Sequence, residues 1–355
     1  MAGTKTYLTL TNNVLQELNE VELTSSNFSS SRGIQTAVKT FVNKAVNDLY
    51  TAEIEWPWLY TSTTQDVNSG QQEYTFPSAF RIADFDSFYI IPKELVTNGE
   101  FTSNINSWTT IAGSGSAAYN SGGNGRLRLN DYAAYQAITT SKNTEYRIQV
   151  KVYDSNSLGQ ALKVQVGTAA EGTQNLNTTL TVSNFGEGAV LDTTFTATAQ
   201  TSYITLNNTV TTTNLDVDYV RISRNTRPRR LPFISYDDWV RRFSERDLTN
   251  LSSAYAEPDY VYKTQSGKLG LTPIPDRNDY KVVFEYWKEH TELSAHGDTP
   301  DLDDRYADLI VTKARYYAYQ LRSDPEHASI ALKEYKDGIE RLTNDIVIKQ
   351  EYIRD

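Results

Sequence analysis

Arginine is concentrated in one segment of this chain. Eight arginines fall within 26 residues, namely Arg221, Arg224, Arg227, Arg229, Arg230, Arg241, Arg242 and Arg246. A guanidinium group is always charged, and its planar fork of donors matches carboxylates and phosphates. The segment is therefore a solvated linker, a surface for an acidic protein partner or a DNA contact. The candidate interface residues are Arg227, Arg229, Arg230, Arg241 and Arg242.

A second candidate contact surface is aromatic. Arg315, Tyr316, Tyr317 and Tyr319 lie within five consecutive residues of a predicted helix. Tyrosine and arginine are enriched in the residues that dominate protein–protein binding energy. These tyrosines lie on more than one side of the helix, and only one side can face a neighbouring helix of the same chain. Tyr316 and Tyr319 therefore face another subunit or lie in the core of a thick helical bundle.

Residues for catalysis or metal binding are scarce. The chain has no cysteine and three histidines, and scattered acids such as Glu94 and Asp131 form no acid–base pair. It has neither a phosphate-binding glycine loop nor a nucleophile elbow. We therefore expect no enzyme activity, no metal site and no cofactor. The net charge of −10 argues against a DNA-gripping protein, because phosphate binding needs basic surface. No stretch is apolar enough to predict a membrane partner.

Two long helices near the C-terminal end are predicted from apolar periodicity. In Asp301–Arg322 the apolar stripe is Leu302, Tyr306, Ile310, Ala314, Tyr317 and Leu321, with Lys313 and Arg315 turned outward. In Pro325–Tyr352 it is Ala328, Leu332, Tyr335, Ile339, Leu342 and Ile346. Steps of three and four place each set on one helix face. The segment from Ser323 to Glu326 offers capping residues and an early proline, so the pattern predicts an αα-hairpin.

Composition divides the rest of the chain. Between Glu94 and Ser223 there are 7 Lys or Arg and 10 Asp or Glu in 130 residues, about half the charge density found elsewhere. Short alternating runs in this segment predict an all-β sandwich. We therefore predict an α+β fold. Residues 1–92 and 224–355 form one domain, a helical bundle with a small antiparallel sheet, and residues 93–223 form an inserted sandwich.

Three blocks of the outer domain resemble a known family. They are Trp56–Tyr60 with Tyr74–Ile82, Leu269–Asp276 with Phe284–Trp287, and the acidic stretch Asp298–Asp304. In this order they resemble the head-to-tail adaptors of short-tailed bacteriophages, also called tail tubular protein A. The resemblance implies a structural virion protein of the tail or neck, assembled in the host cytoplasm. It also implies a ring of twelve copies between the portal protein and the tail nozzle protein.

The inserted segment resembles a second family. Glu94–Phe101, Trp108 and Leu215–Ile222 match the opening and closing strands of jelly-roll carbohydrate-binding modules. This resemblance implies a jelly-roll sandwich that decorates the ring and binds glycan. The candidate stacking rings are Tyr132, Tyr135, Tyr153 and Phe185, with simple strand residues as the alternative. Glu100, Asp216 and Asp218 either hold a structural calcium ion or are surface carboxylates.

The function predicted from these features is a dodecameric head-to-tail adaptor that forms part of the DNA channel. Genome DNA passes through such a ring without specific binding, and a tail fibre is a further expected partner. The alternative is a glycan-binding accessory protein, or one that anchors a tail fibre, in which the sandwich carries the function.

Overall fold

The helices and strands divide into two compact units. The computed structural model describes residues 5–52, 55–111, 116–121, 125–153, 161–182, 188–208, 214–249 and 251–351. Met1–Thr63, Phe76–Asp84 and Phe284–Asp355 form the helical unit, and Thr64–Thr75 and Phe85–Val283 form the sheet unit. The chain is α+β, as predicted. These units are defined by compactness and not by composition, so the predicted domain boundaries at residues 93 and 223 stay a prediction.

The described residues form six α-helices: α1 Tyr7–Glu17, α2 Ile34–Ala52, α3 Tyr236–Arg242, α4 Ser244–Leu248, α5 Ala307–Leu321 and α6 Pro325–Glu351. In the same residues, no helix combines the length and apolarity needed to span a membrane. The strands are β1 Tyr60–Asp66, β2 Glu73–Tyr74, β3 Phe80–Ala83, β4 Tyr89–Pro92, β5 Thr109–Ile111, β6 Ser116–Asn120, β7 Arg126–Asn130, β8 Ala133–Thr139, β9 Glu145–Tyr153, β10 Ala161–Gly167, β11 Leu176–Thr181, β12 Ala189–Thr196, β13 Thr201–Asn208, β14 Leu215–Arg224, β15 Arg229–Arg230, β16 Phe233–Ile234, β17 Tyr260–Lys263, β18 Leu269–Thr272 and β19 Tyr280–Lys288.

Four helices of the helical unit share one apolar core. Helices α1, α2, α5 and α6 contribute to it, and its fully buried members include Leu10, Val42, Leu49, Ile310 and Leu342. Helices α5 and α6 are separated by three residues and pack together as a hairpin. Asp324 caps α6, because its side chain accepts a hydrogen bond from the backbone N–H of His327 at 3.2 Å.

Helix α5 is buried on more than one stripe because it contacts α1, α2 and α6. Ile310 and Ala314 are buried, as predicted, and Val311 and Ala318 are buried as well. The prediction for Leu321 is wrong: its side chain is 56% exposed at the last residue of α5.

The prediction that Lys313 and Arg315 point outward is also wrong. The Arg315 side chain is only 19% exposed and pairs with Glu17 of α1 and Glu334 of α6. Lys313 is 13% exposed, lies 3.5 Å from Asp48 of α2, and covers the ring of Tyr335 at 4.7 Å. Three neighbouring helices leave α5 little free surface. Its cations therefore reach the carboxylates of those helices.

Strands β5 to β14 form two five-stranded antiparallel sheets around a second apolar core. The strand orders are β11-β10-β13-β8-β5 and β12-β9-β14-β7-β6. In β9, Tyr146, Ile148, Val150 and Val152 are fully buried and alternate with more exposed residues. The sequence alternation therefore corresponds to a β-sandwich whose inner faces form one core.

A smaller sheet in the sheet unit has the order β16-β17-β18-β2. Asp247 of α4, only 3% exposed, attaches the helices to this sheet. Its carboxylate accepts hydrogen bonds from Trp239 Nε1 at 2.9 Å, Thr272 Oγ1 at 2.7 Å and Gln72 Nε2 at 3.1 Å. These hydrogen bonds offset the cost of burying the carboxylate.

Alkaline pH should destabilise the helical unit through buried tyrosines. Burial raises the pKa of Tyr7 and of Tyr335 to about 12. The pKa of a tyrosine in an unfolded chain is about 10. Because the folded pKa is the higher one, this stabilisation is complete below about pH 10 and is lost as the pH rises toward 12. Helical circular dichroism and phenolate absorbance should therefore change together.

The matched variant is Tyr7→Phe with Tyr335→Phe, which removes both ionisable groups. We expect its helix loss to move to higher pH. Loss of helix at the same pH in the variant would mean that these two phenols do not control the transition.

Candidate partner-contact and glycan-contact surfaces

The arginine-rich segment divides into paired and unpaired members. Arg229 donates to Asp259 at 2.8 Å, to Glu257 at 3.2 Å and to the Pro258 carbonyl at 2.6 Å. Arg230 pairs with the Asp86 side chain and donates to the Asp86 carbonyl at 3.1 Å. Both arginines lie on β15, which pairs with β4. Their charge is therefore already compensated within the chain.

Three further arginines of the segment also have partners in the same chain. Arg221 pairs with Glu100 at 2.6 Å, and Arg224 lies 3.3 Å from Glu257 and donates to the Tyr280 hydroxyl. Arg246 donates to Asp247 at 3.1 Å and to Thr272 at 2.8 Å. These contacts hold strands and helices of the sheet unit in place.

Arg227, Arg241 and Arg242 remain. All three are exposed, and none has an ion-pair partner among the residues that the structure describes. We call them the unpaired arginines. Exposed apolar side chains lie close to Arg241 and Arg242 in the sequence: Val240 is 43%, Leu248 72% and Leu251 60% exposed. Exposed cations next to exposed apolar side chains have the chemistry of a protein-contact surface.

The two candidate tyrosines of α5 are half-buried against their own chain. The Tyr316 hydroxyl accepts a hydrogen bond from Gln320 Nε2 at 2.6 Å. Tyr319 packs against the helical core, and its ring centroid lies 5.3 Å from that of His327. Their predicted contact with a neighbouring subunit stays a prediction.

The four candidate stacking rings of the insert differ in access. Tyr153 of β9 is 40% exposed, but the Arg126 guanidinium covers one face of its ring at 3.4 Å. Tyr132 is half-buried in the turn before β8. Phe185 lies outside the described residues. Tyr135 is half-buried on β8.

Tyr135 has an aromatic neighbour that the sequence reasoning missed. Tyr203 of β13 lies with its ring centroid 6.0 Å from that of Tyr135, in the sheet where β8 pairs with β13. In β13 the core residues are Ile204 and Leu206, so Tyr203 alternates onto the outer face. On the same strand phase, Thr205 is fully buried under the segment of Glu171, whose backbone N–H donates to Thr205 Oγ1 at 2.8 Å. We call the uncovered part of this face, which carries the two half-buried rings, the open face of the sheet.

The three candidate calcium ligands have protein partners instead. Asp216, 2% exposed, accepts two hydrogen bonds from Arg128, at 2.8 and 2.9 Å. Asp218 pairs with Lys151 at 2.8 Å, and Glu100 pairs with Arg221. Within the described part of the chain, no cluster of three or more His, Asp or Glu residues could hold a metal ion.

Comparison with protein families identifies the chain. A family described as SU10 adaptor protein matches residues 158–352, which is more than half of the sequence. The chain belongs to the SU10 adaptor protein family. It is therefore assigned to a family of phage structural adaptors. The coarser part of the predicted resemblance, a phage adaptor, is confirmed. No curated protein matches this SU10-family adaptor.

The family match divides the candidate residues of the SU10-family adaptor. Arg227, Arg241, Arg242, Tyr316 and Tyr319 lie inside the matched residues. Of the glycan candidates, Tyr132, Tyr135 and Tyr153 lie outside the match, whereas Phe185 and the newly found Tyr203 lie inside it.

Several solved structures are similar to part of the adaptor. TmCBM61 in complex with beta-1,4-galactotriose is 11% identical, with a TM-score of 0.31, and the match covers 38% of this chain and 99% of that one. The CBM22-1 xylan-binding domain of Paenibacillus barcinonensis Xyn10C is 14% identical, with a TM-score of 0.31, and the match covers 38% of this chain and 97% of that one. Tailspike protein 4 of bacteriophage CBA120 is 14% identical, with a TM-score of 0.30, and the match covers 37% of this chain and 21% of that one.

Proposed function

We propose that this protein is a head-to-tail adaptor of a phage virion. In this proposal twelve copies form a ring between the portal protein and the tail nozzle protein, and the genome passes through the ring without specific binding. Membership of the SU10 adaptor family is the observation that carries the proposal. The protein has no catalytic role here, since its part is to join other proteins.

The net charge of −10 supports a passive channel. An acidic lumen repels the phosphates of DNA, whereas a basic lumen binds them through counterion release. The unpaired arginines belong, in this proposal, to a protein contact and not to the channel wall. Arg229 and Arg230 are poorer candidates for that contact, because their carboxylate partners lie in the same chain.

Reversing two of the unpaired arginines should prevent assembly. We expect Arg241→Glu with Arg242→Glu to abolish ring formation on the portal protein of the same phage, because two exposed cations become anions that repel acidic partner surface. Mass photometry and negative-stain electron microscopy of the mixed proteins measure the outcome. The matched control is Lys333→Glu with Lys336→Glu, two exposed positions on α6, which should assemble normally.

Normal assembly by the Arg241/Arg242 variant would remove this surface from the proposal. Failure of the wild-type protein to form any ring on the portal protein would contradict the adaptor function itself. The two failures are therefore distinguishable.

The second candidate function is glycan binding by the open face. The Tyr135–Tyr203 pair favours it, because two rings on an outer sheet face beside polar side chains offer apolar contact and hydrogen bonds together. In this function the sandwich decorates the ring, or the protein is a glycan-binding accessory protein or one that anchors a tail fibre on the virion.

Tyr203→Ala should weaken any glycan binding of the open face by about tenfold or more, as expected for loss of a dominant contact residue. Binding is measured on a glycan array and then by titration with the best-bound glycan. Tyr153→Ala is the control, because the Tyr153 ring is partly covered by Arg126. Equal loss in both variants, or no binding by the wild type, would contradict this second function.

A further inference from the structure

The loop that follows α1 presents an apolar side chain to solvent. Val21 is 76% exposed, more than any other large apolar side chain among the described residues. Glu20 and Glu22 flank it in the sequence, whereas Leu18 and Leu23 at the two ends of the loop are buried. We call residues 18–23 the Val21 loop. Its buried ends anchor it in the core, and its centre is displayed between two carboxylates.

The Val21 loop is held in place by side chains of the two neighbouring helices. Asn12 of α1 binds the Leu23 backbone twice, donating to the carbonyl at 2.9 Å and accepting from the N–H at 2.8 Å. Gln35 of α2 donates to the Val21 carbonyl at 2.9 Å. A loop that is already ordered loses less conformational entropy when it binds a partner. The exposed valine is therefore carried by a loop that is pre-organised for binding.

The two carboxylates of the loop differ in their partners. Glu20 pairs with Arg322. Glu22 is exposed and accepts a hydrogen bond from Gln16 Nε2 at 2.6 Å, but in the part of the chain that the structure describes it has no ion-pair partner. The loop therefore offers an uncompensated negative charge next to an exposed valine.

Helices α3 and α4 carry the complementary chemistry. Arg241 and Arg242, two of the unpaired arginines, lie in the last turn of α3. Helix α4 begins after one further residue and contacts α3. The same two helices carry exposed apolar side chains, Val240 at 43% and Leu248 at 72%. We call these four residues the α3–α4 surface, which offers uncompensated positive charge together with exposed apolar side chains.

We propose that the Val21 loop of one copy binds the α3–α4 surface of the next copy in the ring. This contact rests on the proposed function, which supplies a ring of identical copies. Charge complementarity selects the partner, because Glu22 and the two arginines all lack an ion-pair partner within the described chain. The two surfaces consist of different residues, so the contact is head-to-tail, the type that generates rings.

Two variants with reversed charge, alone and mixed in equal amounts, test this contact. The acidic variant is Arg241→Glu with Arg242→Glu, and the basic variant is Val21→Lys with Glu22→Lys. All four side chains are exposed, so both variants should retain the circular dichroism of the wild type. Glu22→Lys alone replaces the basic variant if that protein does not fold. Ring formation on the portal protein of the same phage is measured by mass photometry.

Each variant alone should form no ring, because like charges then meet at every contact. The equal mixture should form complete rings. In the mixture the acidic α3–α4 surface of one variant meets the basic loop of the other, and the unchanged arginines meet an unchanged loop. A ring of twelve copies can alternate in this way because its copy number is even. Native mass spectrometry of these rings should find both variants in equal numbers.

The outcomes separate this contact from the adaptor function. Rings formed by the wild type but not by the mixture would overturn the contact and leave the adaptor function in place, with the arginines then facing the portal or nozzle protein. Rings formed by either variant alone would also overturn the contact. Failure of the wild type to form any ring would contradict the adaptor function and the contact with it.

Discussion

Replacing Leu342 with alanine should lower the free energy of unfolding of the helical unit by about 2–5 kcal/mol. Leu342 lies on α6 and is fully buried in the core that α1, α2 and α5 share. The substitution removes three carbon atoms and leaves a cavity that rigid helices fill only partly, so the transfer loss and the cavity loss add. Urea unfolding followed by helical circular dichroism measures the change.

The control for Leu342→Ala is Lys336→Ala on the same helix. Lys336 is exposed, and surface substitutions usually change stability by less than about 0.5 kcal/mol. Equal unfolding midpoints for the two variants would show that the α6 stripe does not support the core.

Replacing Asp247 with alanine should destabilise the sheet unit by about 3 kcal/mol or more. The change leaves four donors without their acceptor, on Trp239, Thr272, Gln72 and Arg246. Each donor left unsatisfied in a buried site costs about 1–3 kcal/mol. Thermal unfolding followed by near-ultraviolet circular dichroism reports the tertiary packing around Trp239.

Asp337→Ala removes a carboxylate from an exposed position of α6 and serves as the control. It should change stability by less than about 0.5 kcal/mol. If Asp247→Ala melts like the wild type, the four donors find other acceptors and the cluster does not hold α4 on its sheet.

Local sequence patterns predicted the elements of this fold well. The steps of three and four in α6 place Ala328, Tyr335 and Leu342 in the buried set. The two-residue alternation of β9 corresponds to a buried inner face. These patterns succeed because residues on one face of a helix or strand recur at a fixed local spacing.

The candidate surfaces could be predicted only in part, because their pairings are long-range. Arg230 and Asp86 are separated by 144 residues, and no local pattern brings them together. Arg315 was predicted to face solvent because the apolar pattern of one helix does not reveal how many other helices pack against it. Helix α5 has three such neighbours. Tyr203 was missed because its ring approaches Tyr135 through the strand register of β8 and β13.

The family match and the predicted resemblance overlap in the C-terminal half of the chain. The blocks Leu269–Asp276, Phe284–Trp287 and Asp298–Asp304 fall inside the matched residues 158–352, and Trp56–Tyr60 falls outside them. The adaptor assignment therefore rests on the segment that carries the unpaired arginines, α5 and all of α6. Glycan binding rests on the sandwich and is a separate question.

Cryo-electron microscopy of virions that carry this protein tests the adaptor assignment most directly. A Fab fragment against the purified chain marks its position, and symmetry-resolved reconstruction of the neck counts its copies. The proposal predicts twelve copies in one ring between the portal protein and the nozzle protein. Fab label confined to tail fibres, or a neck reconstruction without this chain, would contradict it.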